Sequence, residues 1–213
     1  MERTAKVSKN VAKVAQALGF LLSLDDNCKM NRVKLIKLLW AADRIHIRRY
    51  GRTITNLNDY YAFPHGPVCS LALDIARLNN IEYDGAFSSD EMKYLNEFFT
   101  SDNKETSMQK SPGNDFLSES DEDALREAWA KFKDIGPFEL ADEISHQYPE
   151  WKKCEASLSD DGGRKKINVE DFFENPKNDK YFVEDDNQLR AAHVLYKENM
   201  NDEEQVKSLL KAR

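Results

Sequence analysis

Between residues 31 and 50 the chain reads NRVKLIKLLWAADRIHIRRY, a helix that is apolar on most of its faces. Val33, Ile36 and Trp40 share one stripe, and Leu35, Leu38, Leu39 and Ala42 fill the neighbouring ones. A helix lying on a surface needs a single apolar stripe, so an arc this wide requires other elements on nearly every side. Around such a segment the chain is expected to fold as a mainly α (α+β) protein: a compact helical domain around a buried central helix, with a small antiparallel β element.

The flanking signals agree with that centre. Asn31 is placed to cap the helix, and Gly51 to end it, with Arg48 and Arg49 complementing the dipole in the last turn. Before it, Val7, Val11, Val14, Leu18 and Leu21 recur at helical steps over residues 4–24. After it, residues 52–63 read as extended, because Thr53, Ile54, Thr55, Tyr60, Tyr61 and Phe63 are strand formers around a polar turn at 56–59. Pro64-His65-Gly66-Pro67 makes a corner, and Pro67 suits the first position of a helix carrying Val68, Leu71, Ile75 and Leu78. No Gly-rich phosphate loop accompanies that helix start, so it reads as a structural corner.

Further on, residues 81–87 suggest a short strand with a turn at Asp84-Gly85, and Ser88 with Glu91 has capping-box spacing for a helix through Phe99. Residues 101–114 are polar, contain Pro112-Gly113 and read as a dispensable surface loop. A helix from Ser118 or Ser120 to Gly136 places Leu125, Ala128 and Phe132 inward, and another from Pro137 to Pro149 does so with Leu140, Ile144 and Tyr148. Residues 160–163 make a turn and 169–173 one helical turn. Residues 1–176 are thus read as one domain and 177–213 as a charged C-terminal helical extension. Leu189, Ala192 or His193 and Tyr196, then Val206, Leu209 and Leu210, give that extension two weakly amphipathic helices, packed on the body or folding against a partner.

Charge narrows the functional classes. The net charge of −7 conceals a balance of +8 over residues 1–53 and −15 over the remainder. The basic quarter reads as helices whose solvent faces pair with acidic neighbours. Nucleic acid is not an expected partner, since the bulk field repels phosphate and no recognition-helix motif stands out. No apolar run reaches the roughly 20 residues of a membrane helix, and the N-terminus lacks a secretory pattern, so a cytoplasmic protein is expected. Cys28, Cys69 and Cys154 are far apart and read as reduced thiols.

No catalytic or metal signature emerges. His46, His65, His146 and His193 lack paired ligand spacing, and His65 with Cys69 lacks a third orienting group, so neither a cofactor nor a metal is expected. Asp43, His46 and Tyr50 stand three and four residues apart and are expected to form one network on a single helix face. Arg44, Arg48, Arg49 and Arg52 read as an exposed basic edge of the kind that anchors protein interfaces.

The run KLIKLLWAADRIHIRRYGRTIT at 34–55, followed by Tyr61-Ala62-Phe63-Pro64-His65-Gly66-Pro67-Val68, resembles the Panacea domain of SocA-like antitoxins. Ser118-Glu119-Ser120, Glu139-Leu140-Ala141, Ser145-His146 and Pro149-Glu150-Trp151 resemble that family's second half, extending the likeness over about residues 5–175. Trp40 stands where tyrosine is more usual, and the tail beyond Pro176 is longer than the domain requires. The resemblance implies a non-enzymatic antitoxin that neutralises a cognate toxin by direct contact, or alternatively an adaptor delivering a toxin to a protease. Arg44, Arg48, Arg49, Arg52, Tyr60, Tyr61 and His65 are the expected partner contacts. Trp40, Asp43, His46, Tyr50, Gly66 and Pro67 are the expected structural motif. Neither the toxin nor the oligomeric state is readable from the sequence.

Overall fold

The computed structural model describes residues 7–56, 58–78, 86–158 and 163–211, without the side chains of residues 203, 204, 207 and 211. The elements run α1 (Lys9–Ser23), β1 (Lys29–Asn31), α2 (Arg32–Tyr50), β2 (Tyr60–Phe63), β3 (Gly66–Cys69), α3 (Ser70–Ala76) and α4 (Ser89–Phe98). They continue with β4 (Phe99–Ser101), β5 (Glu105–Met108), α5 (Glu119–Phe132), a π-helical turn (Glu139–Ile144), α6 (Pro149–Lys152), β6 (Lys165–Lys166), a 3-10 turn (Val169–Phe173) and α7 (Asp186–Lys211). The protein is mainly helical, with small antiparallel sheets, and the core gathers around α2.

In α2 every residue from 34 to 48 is buried, and α1, α3, α5, α7, β3 and the π-helical turn all pack on it. Asn31 caps it by accepting from the Val33 and Lys34 amides, and Gly51 ends it in the left-handed region at φ 69°. Each aliphatic side chain enclosed here contributes about 1.5–3 kcal/mol of transfer free energy. Two lysines are among the polar side chains buried in the same helix: Lys34 donates to the Phe132 and Ile135 carbonyls at the end of α5, and Lys37 to the Pro67 carbonyl at 2.8 Å. Both α4 and α5 begin with full capping boxes, Ser88 with Glu91 and Ser118 with Asp121.

Several elements depart from their sequence expectation. The β-branched run at 53–55 forms a turn instead of a strand. The Asp43 carboxylate accepts from the Ile54 and Thr55 amides and the Thr55 hydroxyl, and these bonds outweigh strand propensity. Pro67 lies in β3, opposite Ala62, and not in the first turn of a helix. That strand is the edge of the sheet β3-β2-β6, where a missing N–H costs no ladder bond. The helix starts three residues later, at Ser70.

The polar segment read as a loop supplies β5, the middle strand of the sheet β1-β5-β4. The Asp102 carboxylate makes its turn by accepting from the Lys104 and Glu105 amides, each at 2.8 Å. Thr106 is buried and donates to the Ala76 carbonyl, and Pro112 lies against Gly19, where an added Cβ would stand 2.6 Å from its ring. The segment is therefore tied into the body and is not dispensable. Helix α5 stops at Phe132, before Gly136, and Pro149 begins α6 where it was expected only to break a helix. The helix expected from Pro137 is instead the π-helical turn, although Leu140, Ile144 and Tyr148 point inward as expected. The extension forms one 26-residue helix in place of two. The start of the first expected helix, the strand expected at 81–87 and the turn at 160–163 fall largely or wholly outside the described residues.

Candidate protein-interaction surface

The four arginines at 44–52 divide into two pairs. Arg44 and Arg48 are fully buried, against the expectation of an exposed edge. Arg44 donates to Glu150 at 2.6 Å and to the Glu174 carbonyl at 2.6 Å, with its guanidinium 4.4 Å from the Tyr148 ring centre. The other Glu150 oxygen accepts from the Trp40 indole at 3.0 Å. Arg48 donates to the Phe172 and Phe182 carbonyls and to Asn175, and burial together with Arg44 lowers its pKa to about 10. Carbonyls, Asn175 and a carboxylate take the terminal hydrogens of these buried guanidinium groups, which offsets the cost of burial, while each Nε is without a described partner. These two residues thus bind the segment at 172–182 to α2. Arg49 and Arg52 are partly exposed, but their charges are met internally. Arg49 forms a bidentate pair with Glu127 and also reaches Glu184, while Arg52 reaches Asp121 at 2.9 Å.

Asp43, His46 and Tyr50 do not form one network. Asp43 faces the turn at 53–55 and Tyr60, whose hydroxyl donates to it at 2.5 Å. Burial raises the Asp43 carboxyl to about 6 despite these donors. His46 faces the start of α5. Its Nδ1–H donates to the Arg52 carbonyl at 2.8 Å, which leaves Nε2 to accept from the Ser120 hydroxyl at 3.0 Å. Burial lowers the His46 pKa to about 4. Tyr50 touches the His46 ring, 4.7 Å between centres, and is half exposed.

The β2–β3 hairpin also divides. Tyr60 is buried edge-on against Phe172, whereas Tyr61 is half-buried with Arg164 4.6 Å above its ring. His65 is exposed at the tip, where its Nδ1 lies 2.9 Å from Asp142 and its ring meets Phe138. Gly66 has φ 92°, and an added Cβ would overlap the Ser145 hydroxyl and stand 2.7 Å from the Lys37 amine. Cys69 is buried at the far end of β3, and burial pushes its thiol pKa up, the reverse of what a nucleophile needs. His146 is stacked on Trp151 at 3.6 Å. Among the described residues no group of three His, Cys, Asp or Glu is arranged to hold a metal ion.

Helix α7 presents the most open apolar surface. Its inner half is bound to the body: Gln188 donates to the Arg49 carbonyl, His193 stacks on Phe173, and Ala192 and Tyr196 are buried. The crossing falls at Gly51, where an added Cβ would stand 2.6 Å from the Ala192 carbonyl oxygen and 2.7 Å from the Tyr196 amide. The last side chain described in a hydrogen bond to the body is Met200, whose sulfur accepts from Asn58. Beyond it Val206, Leu209 and Leu210 are 55, 68 and 68% exposed, at spacings that put them on one side of the helix. Sequence reasoning found these three residues but assigned the contact surface to Arg44, Arg48, Arg49, Arg52, Tyr60, Tyr61 and His65.

The described residues thus form a helical body with an apolar stripe exposed on the outer part of α7. A family model described as antitoxin SocA-like, Panacea domain, matches residues 35–152, and the chain belongs to that family. The match is narrower than the likeness over 5–175 and leaves α7 outside it. No curated protein and no solved structure matches the chain. No helix among the described residues is long and apolar enough to cross a membrane.

Proposed function

We propose that the chain is the antitoxin of a toxin–antitoxin pair and neutralises a cytoplasmic protein toxin by direct binding, without enzymatic chemistry. In this reading residues 177–213 are a functional extension whose outer part docks the toxin. Family membership supplies the general role, and the exposed stripe of Val206, Leu209 and Leu210 carries the particular one. Three large apolar side chains on a helix that leaves the body are suited to a helix-in-groove contact. Arg49 and Arg52 retain exposed surface near α7, beside Gln188 and Tyr196, and complete the contact as a polar rim. They contribute less than bare cations, since acids already meet them.

The experiment co-expresses the chain with the product of its neighbouring gene, scoring growth and recovery of a complex. The full chain is expected to restore growth and to co-purify with the toxin. Val206→Gln, Leu209→Gln and Leu210→Gln together are expected to abolish both while leaving the melting temperature unchanged. Full protection by that variant would move the contact elsewhere on the chain. Toxin abundance in a protease-deficient host separates masking from delivery, because masking leaves the toxin present and harmless.

A further inference from the structure

On the side of the body away from α7, an open groove of about 530 Å³ runs between the first turns of α2, the β2–β3 hairpin, α3 and Phe138. Its apolar wall is Val33, Ile36, Phe63, Val68, Leu73 and Phe138, and Phe138 is 56% exposed at its lip. The polar lining is one-sided. Arg32, Lys37, His65, Arg77 and Lys104 contribute to it, and no described lining residue is an Asp or Glu. In a chain with 38 acidic and 31 basic residues, that composition sets the groove apart.

The rim's charge rests with Arg32, Arg77 and Lys104, since burial drives Lys37 towards the neutral amine and His65 already faces Asp142. Arg32 directs its hydrogen bonds to the Ala76, Asn103 and Asp102 carbonyls and the Ser101 hydroxyl, so no carboxylate is bonded to it. Lys37, 1% exposed on the floor, makes its one described hydrogen bond to the Pro67 carbonyl. Arg77 and Lys104 are exposed in the lining. Past Leu73 the depression continues towards Arg164, beside Asp74. Apolar walls beneath a basic rim complement a ligand with the inverse pattern: apolar side chains to fill the groove and carboxylates to meet its edge.

We infer that this groove is a second docking site, taking a short acidic and apolar peptide segment of a partner protein. The inference rests on reading the chain as a protein-binding module and is independent of the stripe on α7. The test pans a phage-displayed library of random 12-residue peptides against the full chain, then measures enriched peptides by fluorescence anisotropy. Sequences with at least two large apolar residues and one or more Asp or Glu are expected to be enriched. Their binding is expected to weaken at least tenfold against Arg77→Glu with Lys104→Glu, and separately against Phe138→Ala. All three side chains are exposed, and an unchanged melting temperature checks that the variants fold.

Enrichment of neutral or basic peptides, no enrichment, or affinity indifferent to the variants would overturn the inference. So would saturation of the groove by decanoate with no peptide enriched, which assigns it to a small amphiphile. A dimer in sedimentation that the same variants dissociate would assign it to a second copy of the chain. Peptide binding without protection from a toxin would keep the groove and remove the antitoxin reading, and protection without peptide binding would do the opposite.

Discussion

The inner and outer halves of α7 belong to one helix and differ in what they touch. The inner half lies across Gly51 with Ala192 and Tyr196 buried, and it is approached by a segment held by Arg44 and Arg48. The outer half carries Val206, Leu209 and Leu210 into solvent. Helix propensity is similar along both, so burial accounts for the difference: one half is stabilised by packing and the other by continuing a helix already formed. At 1.5 Å per residue the whole helix is about 39 Å long. Its outer end carries these apolar side chains in solvent.

The largest expected effect breaks the inner seat. Arg44→Ala leaves Glu150 buried without its cation and releases the Glu174 carbonyl, so a loss of about 3–5 kcal/mol is expected in urea denaturation. Amide exchange should accelerate through the inner half of α7 while the outer half, already open, changes little. Equal change in both halves would show that α7 responds as a single unit and would dissolve the comparison.

A second prediction uses pH. His46 is held neutral beneath the Gly51 bend, with its pKa lowered from 6.5 to about 4. A base whose folded pKa is depressed contributes its full stability above the unfolded value. That stability is lost as pH falls from about 6.5 to about 4, and the loss amounts to about 3 kcal/mol. Denaturation at stepped pH should show this decline relative to His46→Asn, which lacks the titrating ring. Parallel curves for the two proteins would rule out the depressed pKa.

Gly51→Ala should cost about 1–3 kcal/mol, combining a left-handed backbone with a Cβ forced against the Ala192 carbonyl. Thermal melting measures the cost, and faster exchange confined to residues near 192–196 would locate it. The smallest effect on stability belongs to the outer half. Val206→Gln, Leu209→Gln and Leu210→Gln should each stay within about 0.5 kcal/mol, because no packing is removed. A larger loss would mean that the outer half is packed after all.

The centre of the fold was legible because its signals are local. The Asn31 cap, the Gly51 stop, the Ser88–Glu91 capping box and the arc of apolar residues on α2 all operate within a few positions. What was misread depends on partners far along the chain. Arg44 and Arg48 resemble dipole-complementing surface residues until Glu150, Phe172 and Phe182 are placed beside them. One signal was available: Trp40, Arg44 and Arg48 recur every four residues on a helix already judged to be enclosed, which leaves no exposed face for the arginines. β5 was missed because its anchor is a hydroxyl, that of Thr106, and not an apolar side chain. The turn at 53–55 was missed because Asp43, eleven residues upstream, captures its amides.

The α7 atoms that an added Cβ at Gly51 would meet are the Ala192 carbonyl oxygen, the Tyr196 amide nitrogen and the Leu195 Cβ, atoms that almost every residue type carries. Such a junction tests the width of an arriving helix and is indifferent to the letters on its far face. It works as an interchangeable mount. On the proposed function, the recognition arm is free to drift at the pace of whatever it grips while the body beneath it stays still.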